Sequence, residues 1–197
     1  GYIRVEQAKT IVDDNGFLRR KTVSAVVPGL ISDLQANGYY AGQEIPGKIV
    51  IMECTGVELT GEQSQILEDN SDVFIDYTTD PAVQAIYTGT DNWDVVKNST
   101  EIMCFGRALR MCQDDGDFAD LDRIHKMSGR YVLNDLFDPA TYDDSTVQDK
   151  IIIGPKYQSQ FPVEVTQQPW QYMARLWSWP ISRTDEVIQV YEDSLVF

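Results

Sequence analysis

The sequence predicts an α/β fold in which a mostly parallel central sheet is flanked by helices. Two observations carry that expectation. Short β-branched runs alternate with helical signals along the chain, and each run is bounded by Gly, Pro, Asp or Thr turn residues. The composition, 43% hydrophobic and 24% charged over 197 residues, is that of an ordinary globular domain. A single domain spanning 1–197 is expected, long enough to bury about 70% of its unfolded surface without disulfide or metal staples.

The elements follow in order. Thr22 to Val27 has strand propensity, and Pro28 to Gly38 reads as a short helix with a glycine stop, although 1–45 carries the weakest pattern. Lys48 to Glu53 is a β-branched run set between Pro46-Gly47 and Thr55-Gly56, the signature of a buried strand. Thr60 and Gln63 have capping-box spacing ahead of a short helix with Ile66 and Leu67 on its apolar face. Asp72 to Asp76 is a second strand, and Asp80-Pro81 supplies a cap and a first-turn proline for the next helix.

Asn98 or Ser99 is expected to cap the longest helix, because Ile102, Phe105, Leu109 and Cys112 then fall on one face. Asp114-Asp115-Gly116-Asp117 ends it. Strands are expected at Arg123 to Met127 and Ile151 to Ile153. The C-terminal stretch 165–197 is aromatic-rich and expected to be helical, with one helix around Trp170 to Trp177 and another from Thr184 to Leu195, separated by Pro180.

Charge and cysteine usage exclude several functions. The chain carries 31 Asp and Glu against 16 Lys and Arg, a net charge of -15. That field repels polyanions, so nucleic acid is not expected as a partner. No apolar run approaches the roughly 20 residues of a membrane span, and no charged-then-apolar leader is recognisable. Cys54, Cys104 and Cys112 lack CxxC spacing, and the reduced state this implies points to a cytoplasmic setting. His125 is the only histidine, which leaves little from which to build a zinc site or a Ser-His or Cys-His couple.

Ligands in open α/β sheets bind at the carboxyl ends of the strands. Three such ends are polar: Glu53-Cys54-Thr55-Gly56, Asp76-Tyr77-Thr78-Thr79-Asp80 and Lys126-Met127-Ser128-Gly129-Arg130-Tyr131. The third is richest in donors. Arg130 offers a planar fork for phosphate oxygens, Lys126 a mobile charge, and Gly129 a backbone open to close approach, together a diphosphate pocket. The competing reading pairs Arg130 and Lys126 with Asp120, Asp122 or Asp135. Lys97, Ser99 and Glu101 would sit at the start of the long helix, where free N–H groups favour an anion, or Glu101 would simply complete a cap. Asp114, Asp115, Asp117, Asp120 and Asp122 lack the EF-hand arrangement and read as a solvated loop. Trp170, Tyr172, Trp177 and Trp179 read as core and C-terminal packing; the alternative, an aromatic platform for a sugar ring, has no support from their spacing. Tyr157 to Pro162 reads as a flexible flap.

The segment Asp122 to Asp135 (DRIHKMSGRYVLND) resembles the K-x-S/T-G-R-Y-x-L block of small bacterial and viral glycosyltransferase-like proteins. Lys97 to Glu101 and the strand Lys48 to Glu53 resemble the K-x-x-E helix and IVLIE strand of the same group, so the resemblance spans about Lys48 to Phe161. It implies a nucleotide-diphospho-sugar transferase fold of the GT-A type. It further implies that Lys126, Ser128, Gly129, Arg130 and Tyr131 line the donor site, with Lys97 and Glu101 close by.

GT-A enzymes carry an Asp-x-Asp motif after this strand to hold manganese or magnesium on the diphosphate. Here Ser128-Gly129-Arg130 takes that place, so Arg130 with Lys126 would neutralise the leaving diphosphate. Asp135 would be the base for the acceptor hydroxyl. The expected function is therefore transfer of a sugar from a nucleoside diphosphate donor to a glycan or lipid-linked acceptor. The rival is a non-enzymatic α/β binding or assembly protein, such as a viral one, in which the same block is structural. A third reading, a phosphatase or nucleotidyl hydrolase, needs magnesium on Asp115 and Asp117.

Overall fold

The computed structural model describes residues 48–69, 71–128, 141–142 and 144–195, together with the backbone of two short strands, β1 (Ile11–Val12) and β2 (Leu18–Arg19), which pair antiparallel. The strand and helix expected at Thr22–Val27 and 28–38, and the residues Gly129, Arg130, Tyr131 and Asp135, lie outside the described residues. The chain divides into two compact units. One holds 48–121 and 182–195; the other holds Asp122–Ile181 together with β1 and β2.

In the first unit, β3 (Val50–Glu53) and β4 (Val73–Asp76) run parallel in the register Val50↔Val73 to Glu53↔Asp76, with α1 (Gly61–Glu68) as the crossover. Parallel strands need such a crossover, and the sequence supplies its start through a complete capping box between Thr60 and Gln63. Asp80 caps α2 (Pro81–Gly89), with Pro81 in the first turn as its fixed φ allows.

The long helix α3 (Trp93–Asp114) starts five residues earlier than the first of the two expected caps, with Asn92 accepting from the N–H groups of Asp94 and Val95. Asn98 and Ser99 are interior to it. The polar run 97–100 resembles a cap, but the Thr100 hydroxyl donates back to the Val96 carbonyl at 2.9 Å, so the helix absorbs the run. α3 ends in a Schellman motif: the Asp117 N–H reaches the Cys112 carbonyl (2.8 Å), and Gly116 sits at φ +78°, which glycine adopts without a Cβ clash. Ile75, Ala108 and Cys112 form a buried cluster, with Met52, Val73, Tyr77 and Phe118 packed on it. α5 (Thr184–Asp193) lies on α3, burying Val187 and Ile188.

In the second unit, β5 (Arg123–Met127) forms as expected, but its partner is β8 (Leu176–Pro180), antiparallel, in the register Arg123↔Pro180 to Met127↔Leu176. β6 (Lys156–Gln158) and β7 (Trp170–Tyr172) form a second antiparallel pair around the one-turn helix α4 (Val163–Thr166). Trp170 to Trp177 is therefore not helical. Trp170 and Tyr172, like Trp177 and Trp179, recur every second residue, which is strand spacing, and aromatic side chains favour strands. Part of the expected flap at Tyr157 to Pro162 is strand β6. Ile151 to Ile153 supplies an isolated bridge from Ile152 to Ser178 rather than a strand. The protein is mixed α/β. Among the described residues the strands form four two-stranded sheets of which one is parallel, so the mostly parallel central sheet is not assembled there.

Candidate functional site

Because β3 and β4 are parallel, their carboxyl ends lie side by side, and the loops that leave them carry the first two polar clusters. Most of those carboxylates staple their own turns. Glu53 Oε1 accepts from the N–H groups of Cys54 (2.9 Å) and Thr55 (2.8 Å), and Asp76 Oδ1 from that of Thr78 (2.7 Å). Gln84, on α2, ties the two loops together, its side-chain amide donating to the carbonyls of Gly56 (3.0 Å) and Thr78 (2.6 Å). The Thr78 hydroxyl is fully buried and has no hydrogen-bond partner among the described residues.

A thiol cluster lies beside this edge. Cys104, buried on α3, lies beside Cys54 and lowers the Cys54 pKa, against the opposing effects of burial and the Glu53 carboxylate. The same contact, with burial, drives the Cys104 thiol far above its ordinary range. Cys112, deeper on α3, is pushed up to about 11 by burial and by Asp117 and Asp115. Cys54 is thus the polarised thiol of the three. The strand-end motif containing it was visible in sequence; its partner, fifty residues on in the chain, was not, because only packing of α3 against β3 joins them.

The expected donor-site residues divide between the units. Lys97 and Glu101 stand one turn apart in the interior of α3, so the free N–H groups expected beside them are absent there. Lys97 pairs with Asp94 at 3.8 Å. Burial and then the Glu101 charge raise the Tyr191 pKa, and at Cys54 the same charge only opposes the net lowering. Lys126 and Ser128 lie at the carboxyl end of β5 in the other unit, where the Ser128 N–H donates to the Arg175 carbonyl at 2.9 Å. Arg123, at the other end of β5, had no role in the sequence reading. Its guanidinium donates to the carbonyls of Lys150, Val147 and Gln148 and to the Ser178 hydroxyl, organising the loop before β6.

Among the described residues no group of three or more His, Cys, Asp or Glu side chains is arranged to hold a metal ion. The aspartate-rich loop after α3 is instead tied down in part by the Lys48–Asp117 pair at 2.9 Å. An open groove of about 410 Å³ lies against α3 and α5, its lining mixing apolar side chains such as Ile102 and Met103 with Arg107, Arg110, Asp114 and Glu192. None of Lys97, Glu101, Lys126 or Ser128 lines it. Among the described residues no helix is long and apolar enough to cross a membrane. Compared with protein-family models, curated proteins and solved structures, the chain matches none.

Proposed function

We propose that the chain is a GT-A-type glycosyltransferase, cytoplasmic, moving a sugar from a nucleoside diphosphate donor to a glycan or lipid-linked acceptor. The observation that carries the reading is the block Lys126-Met127-Ser128-Gly129-Arg130-Tyr131-Val132-Leu133, which starts in the last residues of strand β5. The parallel β3–α1–β4 unit supports it, as the kind of building block from which nucleotide-binding sheets are made.

In this reading Lys126 and Arg130 neutralise the charge that develops on the departing diphosphate. Ser128, Gly129 and Tyr131 shape the donor pocket in the same reading. In an inverting reaction the Asp135 carboxylate takes the acceptor hydroxyl proton as that oxygen bonds to the anomeric carbon and the bond to the diphosphate breaks.

A thermal-shift panel of UDP, GDP, CMP and dTDP sugars, each with and without manganese, tests this. A donor that binds only the folded chain raises Tm by mass action. One nucleotide family is expected to raise Tm, and Arg130→Ala to abolish that rise while leaving the ligand-free Tm unchanged. A flat panel, or an undiminished shift in Arg130→Ala, favours the non-enzymatic binding or assembly protein. That rival draws support from the exposed apolar side chains of Phe161, Val163 and Val165.

A further inference from the structure

The β6–β7 hairpin displays its aromatic residues outward. In its register Lys156 stands opposite Tyr172 and Gln158 opposite Trp170, so these four side chains share one face of the ribbon, with Tyr157 and Gln171 on the other. Trp170 is 52% exposed and Tyr172 51%, so neither is the packing residue expected from the sequence. Along the strand they stand about 7 Å apart. The Lys156 ammonium lies over the Trp170 ring, 4.7 Å from its centroid, which orients the indole and sets a hydrogen-bond donor beside it. The hairpin is braced independently of any ligand: the Ser159 N–H donates to the Pro169 carbonyl at 3.0 Å, and the Gln160 N–H to Gln171 Oε1 at 3.2 Å.

We infer that this face is a carbohydrate-binding platform for neutral oligosaccharides whose hydroxyls are mainly equatorial. Such pyranose rings would present flat C–H faces to the Tyr172 ring and to the Trp170 face away from Lys156, while Lys156 and Gln158 meet the ring hydroxyls. Charge selects this occupant. The 17 residues 156–172 hold one cation, Lys156, and one anion, Glu164, within a chain of net charge -15. A neutral polyol matches a locally neutral surface, whereas a polyanion or an anionic membrane would meet a single lysine inside a repelling field. Alternation of rings with an amide and an ammonium also provides the polar partners that hydroxyls require and that a purely apolar docking helix would leave buried without partners. The inference deepens the transferase reading, on which it rests for its biological sense, by giving the acceptor a chemical class.

Calorimetric titration of the full 197-residue chain with cellotetraose and with chitotetraose tests it. At least one is expected to bind. Trp170→Ala and Tyr172→Ala should each weaken that binding about tenfold or more, and Trp170→Phe should restore part of it. Val165→Ala, on the exposed α4 of the same segment, should leave it unchanged. An unaltered ligand-free Tm in Trp170→Ala confirms that the variant is folded. Absence of binding at millimolar oligosaccharide overturns the platform, as does wild-type affinity in Trp170→Ala. So does a dimer, seen by sedimentation, that Trp170→Ala dissociates while no sugar binds. The nucleotide-sugar panel separates the two claims: oligosaccharide binding without any donor shift keeps the platform and removes the transferase, and a donor shift without oligosaccharide binding does the reverse.

Discussion

Asp80 shows how one side chain closes several local accounts. One carboxylate oxygen accepts from the N–H groups of Ala82 (2.8 Å) and Val83 (3.3 Å) at the start of α2; the other pairs with Arg107 at 3.1 Å. Burial pulls its pKa up, but the two backbone donors and Arg107 together outweigh it and hold it below its ordinary 3.8. The folded state therefore keeps this carboxylate charged at acidities where the unfolded chain takes up a proton. Its contribution to stability is complete above the ordinary value and is lost as pH falls through the lower folded one. Urea midpoints measured from about pH 6 down to about pH 3 should show wild type and Asp80→Asn converging as the acid limb is reached. A constant gap would mean that Asp80 stabilises by cap geometry alone. The cap itself was legible, because Asp-Pro before an apolar face is a local signal; Arg107 was not, being 27 residues away.

At the scale of elements, the parallel β3–β4 pair depends on how closely α2 approaches the loop after β3. A Cβ on Gly56 would overlap the root of the Tyr87 ring, a position the ring cannot vacate by rotating. Gly56→Ala is expected to destabilise the chain by about 1–3 kcal/mol, read as a lower urea midpoint with an unchanged slope. A neutral result would show that α2 shifts freely and that the Gln84 bridge between the loops is weak. The β3, α1, β4, α2 and β5 elements were recognisable because their signals are contiguous: a β-branched run, a capping box, an Asp-Pro start. The start of α3 was misjudged where Lys97 to Thr100 mimicked a cap. That error also removes the anion-binding helix end from the sequence argument for Lys97 and Glu101. The aromatic strands β7 and β8 were misread because a period of two was judged against a helical background set by 165–197 as a whole.

The whole molecule carries a net charge of -15. Self-repulsion of that size strains the compact state, and added salt relieves it by shortening the screening length from about 30 Å at 10 mM to about 8 Å at 150 mM. Raising NaCl across that range should raise Tm in a differential scan. A fall would mean that the exposed pairs Lys48–Asp117 and Arg110–Glu192 matter more than the overall field.

By itself the sequence determined the mixed α/β class, the positions of β3, β4 and β5, two helix caps, the acidic composition and the block that starts at the end of β5. Each of these is written in neighbouring residues or in summed composition. Tertiary structure decided that β5 pairs antiparallel with β8, that Cys104 lies against Cys54, and that Trp170 and Tyr172 face outward on a ribbon. Those outcomes depend on which distant segments meet. Strand pairing and side-chain exposure follow from the choice of partner, and a period-two stretch of aromatic residues is equally compatible with a core strand and with an exposed binding face until that partner is in place.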